Sequence, residues 1–325
     1  MRRIALLGLG AEGGAMATNW LKKGFPLTIW NRTRAKSEGY SARGARVAYT
    51  PGEAAQDADV VVAMVADDAA SREVWLGADG ALSNMRPGAI SIESSTVTPR
   101  WARELGDAAR RRGCRFLDVP VGSGLPAAEA GEAILLVGGD TSDLEEARPA
   151  LEAIAKRIHH LGPVGAGATW KLIANAMIAV QVASLGEAFA CARKAGFGAD
   201  QIAALIKGAS TASPIVQRKL DRMLANRFDD ADFALYLLAK DARYGAELAR
   251  DLGAPHALIA ATAQVFSYAE KSGLGAKDSA AVALSAVSDA GLAKVAADAQ
   301  VRSHSRITRA SQLKAVLSPE KQKLA

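Results

Sequence analysis

The sequence predicts an α/β domain built on a doubly wound parallel sheet, followed by an all-α domain. Three observations predict this. Short apolar runs alternate with helix-compatible segments as far as about residue 162, the alternation of a parallel sheet with helices on both faces. After about residue 169 only helical patterns occur, punctuated by Gly, Pro, Asp and Ser. The length, 325 residues, exceeds the roughly 100–200 residues of one domain, so two cores are expected.

Taken in order, Ile4-Ala5-Leu6-Leu7 is a short apolar run ending at glycine, residues 14–23 have helical composition, and Pro26-Leu27-Thr28-Ile29-Trp30 is a second strand. Buried strands are expected again at 60–64, 89–92, 115–118, 133–139 and 157–161. One long helical pattern then runs from about Thr169 to Gly196, with others at 200–208, 233–252, 256–272 and 277–298. Alanine-rich runs such as Ala179-Val180-Gln181-Val182-Ala183 and Ala280-Ala281-Val282-Ala283-Leu284 suit close helix packing, because alanine is small and a strong helix former. The expected organisation is a dinucleotide-binding domain over residues 1–162, a helical substrate and dimerisation domain over 163–300 that begins with a long interdomain helix, and a basic tail over 301–325.

Charge and composition exclude several function classes. The formal charge is +6, but residues 302–325 carry Arg302, Arg306, Arg309, Lys314, Lys321 and Lys323 against Glu320 alone. Nearly all of the excess therefore sits in the tail, which reads as an exposed solubilising extension, with polyanion binding as the alternative, and no nucleic-acid partner is expected. No unbroken apolar run reaches ~18 residues, and the N-terminus leads straight into a strand, so a soluble cytoplasmic protein without membrane association is expected. Cys114 and Cys191 have no metal-ligand spacing and read as small buried apolar residues. His159, His160, His256 and His304 show no metal spacing either, and neither a Ser-His-Asp nucleophile arrangement nor a Walker loop is visible.

Chemistry begins at Gly8-Leu9-Gly10-Ala11-Glu12-Gly13, a G-x-G-x-x-G between a strand and a helix. The first glycine permits the tight turn, the second lets the backbone approach a pyrophosphate, and the third allows close helix–strand contact, with the helix N-terminus attracting the anion. Gly8, Leu9, Gly10 and Gly13 are accordingly cofactor-binding candidates in a Rossmann-type domain. The second strand ends in Trp30-Asn31-Arg32-Thr33-Arg34. An acidic residue there would bind the free ribose 2′-hydroxyl of NAD, whereas guanidinium and hydroxyl donors suit the 2′-phosphate of NADP. NADPH is thus expected over NADH, with Asn31, Arg32 and Thr33 as contacts.

Four ordered blocks make the chain resemble the β-hydroxyacid dehydrogenase family, the group around 3-hydroxyisobutyrate dehydrogenase that is related to 6-phosphogluconate dehydrogenase. Gly8 to Ala17 with Asn19 resembles G-L-G-x-M-G-x-x-M-A-x-N. Asp118 to Gly131 resembles D-x-P-V-S-G-G-x-x-x-A-x-x-G, and Gly162 to Asn175 resembles G-x-x-G-x-G-x-x-x-K-x-x-x-N. Lys240-Asp241 resembles the family's K-D-L block.

The resemblance implies a role for each matching position. Lys171 would be the general acid and base, protonating a carbonyl oxygen as hydride arrives. Asn175, four residues on and on the same helix face, would orient substrate or lysine. The family's Ser-Gly-Gly turn binds the substrate's carboxylate or hydroxyl; here it reads Gly122-Ser123-Gly124, whose backbone N–H groups and hydroxyl still suit an anion. A small carboxylate or neutral substrate is therefore expected. Val65-Ala66 replaces the family's Leu-Pro, Thr96 falls in its S-T segment, and Lys240 would close over the cofactor. Phe233 would pack near the substrate. Glu12 stands where the family has methionine; a carboxylate beside pyrophosphate would be repulsive, so it is expected to point to solvent.

These readings imply an NADP(H)-preferring oxidoreductase that interconverts a small β-hydroxyacid and an aldehyde acid of the semialdehyde or glyoxylate type, in a site between the domains. The resemblance also implies a homodimer or homotetramer sharing the long helix. Two alternatives stand beside this reading, an imine reductase of the same fold and, from a different class, a noncatalytic NADP-binding partner protein with the basic tail as its contact surface. An imine reductase usually carries another residue at the position of Lys171, and a noncatalytic NADP-binding partner protein has no need of Lys171 and Asn175.

Overall fold

The computed structural model describes residues 1–286. Its strands are β1 (Ile4–Leu7), β2 (Leu27–Trp30), β3 (Arg46–Val47), β4 (Val60–Ala63), β5 (Ile90–Glu93), β6 (Arg115–Asp118), β7 (Ala133–Gly139) and β8 (Ala155–Gly162). Its helices are α1 (Ala11–Lys22), α2 (Ala35–Ser41), α3 (Pro51–Ala55), α4 (Asp68–Leu76), α5 (Pro99–Arg111), α6 (Leu125–Glu129), α7 (Thr141–Glu152), α8 (Ala166–Lys194), α9 (Ala199–Lys207), α10 (Pro214–Leu224), α11 (Leu235–Asp251), α12 (Ala257–Ala269) and α13 (Val282–Ala286). The α/β domain and the helical region after it are present as expected.

The strands form one sheet in the order β3-β2-β1-β4-β5-β6-β7-β8. Every neighbouring pair is parallel except β6 and β7, where Asp118 faces Gly138 and Leu117 faces Gly139. The chain doubles back there, with Val121 bridging Leu135 in the antiparallel sense, and the sheet is mostly rather than wholly parallel. β1, β4 and β5 are buried at every residue, as strands covered on both faces must be. Side chains alternate between faces: Ile4, Leu6, Val60, Val62, Ile90 and Ile92 pack in one core, Ala5, Leu7, Val61 and Ala63 in the other. Each fully buried Ile or Leu contributes about 1.5–3 kcal/mol.

By contacts, the described chain divides into Met1–Ile178 with Lys240–His256, and Ala179–Ala239 with the residues from Ala257 on. This differs from the expected boundary at 162, because the start of α8 and the second part of α11 are tied by hydrogen bonds to the sheet unit. α8 is long and apolar enough to cross a membrane by length and composition. It nevertheless buries Leu172, Asn175, Ala176, Ala179 and Val182, the pattern of a core helix.

Two elements were not anticipated. β3 has only two residues, one of them exposed, too few to give a strand pattern. α10 starts with Ser213, whose hydroxyl accepts from Val216 N–H, and Pro214 in its first turn, a start signal readable in the sequence. Of the expected helix at 277–298, the described part is a 3₁₀ turn (Ser279–Ala281) and α13; the remainder, the 301–325 tail and His304 lie outside the described residues. Cys114 is buried, but Cys191 is exposed, which corrects the expectation for it. It follows buried Ala190 by one residue, roughly 100° around the helix, which turns it outward.

Candidate active site

β1 sits between β2 and β4, where successive crossovers diverge to opposite sides of the sheet; ligands of such sheets bind beyond the strand ends at this switch point. Gly8 has φ +110°, and a Cβ there would lie 2.2 Å from the Met64 carbonyl oxygen. A Cβ on Gly13 would lie 2.2 Å from the Gly8 oxygen, so both glycines are required by the fold itself. Gly10 differs, because a Cβ there would meet nothing within 4 Å. Its bare backbone leaves room at the start of α1, where the free N–H groups of a helix N-terminus suit an anion. The Asn31 side chain ties this turn to the loop after β2, accepting from Leu9 N–H at 2.8 Å and donating to the Thr33 carbonyl at 2.8 Å. Arg32 and Thr33 are exposed, and Arg32 makes no hydrogen bond or ion pair among the described residues. Arg34 instead lies over the Tyr49 ring at 4.1 Å. These residues fit a nicotinamide dinucleotide, with Gly10 and the α1 N-terminus open to a pyrophosphate.

The loops after β4 and β5 lie next to one another, Val65 N–H donating to Ser95 Oγ at 2.8 Å. Lys240 on α11 reaches both, its ammonium donating to the Ala66 carbonyl at 2.6 Å and the Thr96 carbonyl at 2.7 Å. It also lies 3.1 Å from Asp241 Oδ1. Val65, Ala66, Thr96 and Lys240, widely separated in sequence, are thus adjacent.

Asp118, fully buried at the end of β6, explains the glycine block before α8. Its carboxyl accepts from Gly165 N–H at 2.7 Å and Ala168 N–H at 2.8 Å. Burial pushes this carboxyl upward, and these N–H groups oppose the rise. Gly165 has φ +94°, and a Cβ on Gly167 would lie 2.3 Å from the Leu136 oxygen. One carboxylate therefore draws the α8 N-terminus against the sheet, satisfying N–H groups that a helix start leaves open. Sequence reasoning gave Asp118 no role of its own; its place at a strand end, heading a family block, was the available signal.

Lys171 follows one turn after this anchor, half-buried and without a hydrogen-bond partner among the described residues. Asn175, 2% exposed, donates to Asp241 Oδ2 at 2.6 Å. Lys171, Asn175, Asp241 and Lys240 thus come from one face of α8 and the facing turn of α11. Glu12 joins them, against the expectation that it points to solvent. Burial pushes its carboxyl up from the usual range, Lys171 lowers it, Asp241 raises it and Lys240 lowers it again. It is half-buried at the second residue of α1, within reach of the charges of Lys171, Asp241 and Lys240.

That environment predicts a pH dependence. A carboxyl raised above 4.5 in the folded state binds its proton more tightly there than in the unfolded chain, so stability falls as pH rises from about 4.5 through the raised value. Glu12→Gln should abolish this part of the slope, gaining on the wild type by about 1.4 kcal/mol for each pH unit across that interval. Urea denaturation of both proteins between pH 4.5 and 8 measures it; a difference independent of pH would show a solvated Glu12.

At the Gly122-Ser123-Gly124 turn, Gly122 N–H donates to the Ile134 carbonyl at 2.7 Å and Ile134 N–H donates to Ser123 Oγ at 3.3 Å. Part of the turn is thus used to pair with β7, while the serine hydroxyl keeps its own proton to donate. Phe233 belongs to the second unit. There it is half-buried, its N–H directed to Asp278 Oδ2 at 3.4 Å and its carbonyl accepting from Ser279 N–H at 2.9 Å.

Comparison with known proteins agrees with this geometry. Residues 3–162 match the family model described as the NAD binding domain of 6-phosphogluconate dehydrogenase. Residues 165–285 match the model described as NAD-binding of NADP-dependent 3-hydroxyisobutyrate dehydrogenase. The chain is 35% identical to an NAD-dependent L-serine dehydrogenase of Pseudomonas aeruginosa, over 77% of this chain and 86% of that protein. It is 32% identical to glyoxylate/succinic semialdehyde reductase 1 of Arabidopsis thaliana, over 86% and 96% respectively. Among solved structures it resembles 3-hydroxyisobutyrate dehydrogenase of Mycobacterium tuberculosis with L-serine, at a TM-score of 0.76 and 31% identity, covering 87% of this chain and 98% of that one.

Proposed function

The chain belongs to the β-hydroxyacid dehydrogenase family and is a nicotinamide-dependent oxidoreductase of that kind; on that premise we propose that it prefers NADP(H) and acts on a small β-hydroxyacid or the matching aldehyde acid, with Lys171 as general acid and base. The observation that carries the proposal is Lys171 itself, half-buried, without a hydrogen-bond partner among the described residues, and one turn beyond the point where Asp118 anchors its helix. A lysine so placed has donors to spare for substrate.

The nicotinamide, when bound, gives or takes the hydride. In reduction the Lys171 ammonium donates a proton to the substrate's carbonyl oxygen, and in oxidation the amine removes the hydroxyl proton. Asn175 is held by Asp241 and keeps its carbonyl oxygen for Lys171 or substrate. Lys240 keeps the loops after β4 and β5 together. The preference for NADP(H) is supported by the guanidinium of Arg32, unpaired among the described residues, and by Asn31-Arg32-Thr33 standing where an NAD enzyme of this fold carries an acid.

The test is NADPH and NADH oxidation with glyoxylate, succinic semialdehyde and cyclic imines, and NADP⁺ reduction with L-serine and 3-hydroxyisobutyrate. One or more of the acids should turn over, with kcat/KM about tenfold or more higher for the phosphorylated cofactor. Arg32→Ala should erase most of that preference, since a charged contact to phosphate contributes on the order of 1.5–3 kcal/mol. Turnover of cyclic imines alone, or a preference for NADH, would overturn the proposal.

A further inference from the structure

Glu93, at the C-terminal end of β5, is 0% exposed and makes no ion pair among the described residues. A buried carboxyl without a counter-ion is costly, and its hydrogen bonds show where it acts. Oε1 accepts from Ser95 N–H at 2.8 Å, and Oε2 accepts from the Trp75 indole at 2.9 Å and from the Ser71 hydroxyl. The Trp101 indole donates to Ser71 Oγ at 2.8 Å. An indole N–H only donates, so the Ser71 proton is committed to Glu93. Two helices, α4 and α5, thereby fix the carboxyl, and the carboxyl fixes Ser95.

Ser95 passes the constraint on. Its Oγ accepts from Val65 N–H at 2.8 Å, joining the loop after β5 to the loop after β4. Lys240 joins the same two loops a second time, through the carbonyls of Ala66 and Thr96. Val65, Ala66 and Thr96 are therefore held at two points, by Glu93 with Ser95 and by Lys240.

We propose that Glu93 is a positioning residue for the nicotinamide cofactor, acting through Ser95 to hold Val65-Ala66 and Thr96 in a binding-ready arrangement. This rests on the reading above that these loops face the cofactor. A loop ordered in advance has less conformational freedom to lose when ligand binds. Loss of the tie should therefore weaken cofactor binding more than it slows turnover at saturation. Ser95 is 1% exposed, so any effect of removing its hydroxyl passes through the loops and not through a lost direct contact.

The experiment is titration of the full chain with NADPH and NADH, followed by steady-state kinetics, on the wild type, Glu93→Gln, Ser95→Ala and Ser71→Ala. Ser71→Ala removes a hydrogen bond from the same carboxyl and leaves the Trp101 indole unpaired, but touches neither loop. Glu93→Gln and Ser95→Ala should each raise the Kd for NADPH about tenfold, with kcat at saturation changed less than about threefold. The double variant should bind no more weakly than the weaker single one, because both act through one connection. Ser71→Ala should lower thermal stability while leaving the Kd within about twofold of wild type. If Glu93→Gln does not fold, Ser95→Ala against Ser71→Ala carries the comparison. Equal effects of these two on the Kd, or none from Ser95→Ala, would overturn the positioning role while the function proposal stands. A wild type that binds neither nucleotide would overturn both.

Discussion

Lys171→Ala is expected to lower kcat by about 10²–10⁴, the range contributed by a positioned general acid or base, in both reaction directions. The lysine makes no hydrogen bond or ion pair within the protein among the described residues, so its removal breaks none. Thermal stability and the KM for the cofactor should therefore stay close to wild type, separating a chemical defect from a folding defect. Lys171→Arg should not restore the rate, because a guanidinium keeps its charge at any accessible pH and cannot take the proton back. Steady-state kinetics of the three proteins with the best substrate, beside thermal unfolding, measures this. A loss of less than about tenfold in kcat for Lys171→Ala would remove Lys171 from the proton transfer.

The largest effect on stability is expected in the second unit, from Lys219→Met. The Lys219 side chain is 0% exposed, and its ammonium donates to both carboxyl oxygens of Asp278 at 2.8 Å and to Asp232. Asp278 is itself fully buried, and also accepts from Ala280 N–H at 2.9 Å and Asp232 N–H at 3.2 Å. It thereby holds the segment that carries Phe233 into α11. Methionine fills similar volume but leaves the Asp278 carboxylate with only Arg222 Nε, 3.7 Å away, as a positive partner among the described residues. Removing one partner of a buried pair in this way costs about 3–5 kcal/mol, measurable by urea denaturation at pH 7; a loss below about 1 kcal/mol would contradict it.

The same cluster predicts acid sensitivity. Burial would raise the Asp232 carboxyl, but the hydrogen bond from Lys219 and the charges of Lys219 and Arg222 hold it down to about 2. A carboxyl depressed on folding stabilises fully above about pH 4, and that contribution is lost as pH falls towards 2. Lys219→Met should lose part of this dependence, narrowing its deficit to wild type as pH falls.

The reasons for what sequence could and could not reveal differ from residue to residue. Ile4-Ala5-Leu6-Leu7 and Val60-Val61-Val62-Ala63 were legible as buried central strands because a strand covered on both faces must be apolar throughout. The Gly8–Gly13 turn was legible because close approach of backbone excludes every residue but glycine. Lys171 with Asn175 was legible through the resemblance of Gly162 to Asn175 to a family block, and helical spacing puts both on one face. Glu12 and Cys191 defeated the same reading. Which way a single side chain on a helix faces depends on what packs there, and that is absent from local pattern.

Local composition and spacing, by themselves, determined the α/β architecture, the dinucleotide fingerprint, the lysine helix and the absence of an acid at Asn31-Arg32-Thr33, since each follows from short-range steric and hydrophobic rules acting within a few residues. Tertiary structure alone decided that Asp118 anchors α8 from 47 residues away, that Lys240 joins loops 174 and 144 residues distant, and that Glu12 is half-buried within reach of the charges of Lys171, Asp241 and Lys240. Buried polar groups must find partners wherever the fold brings donors and acceptors together, and sequence separation carries no record of that distance.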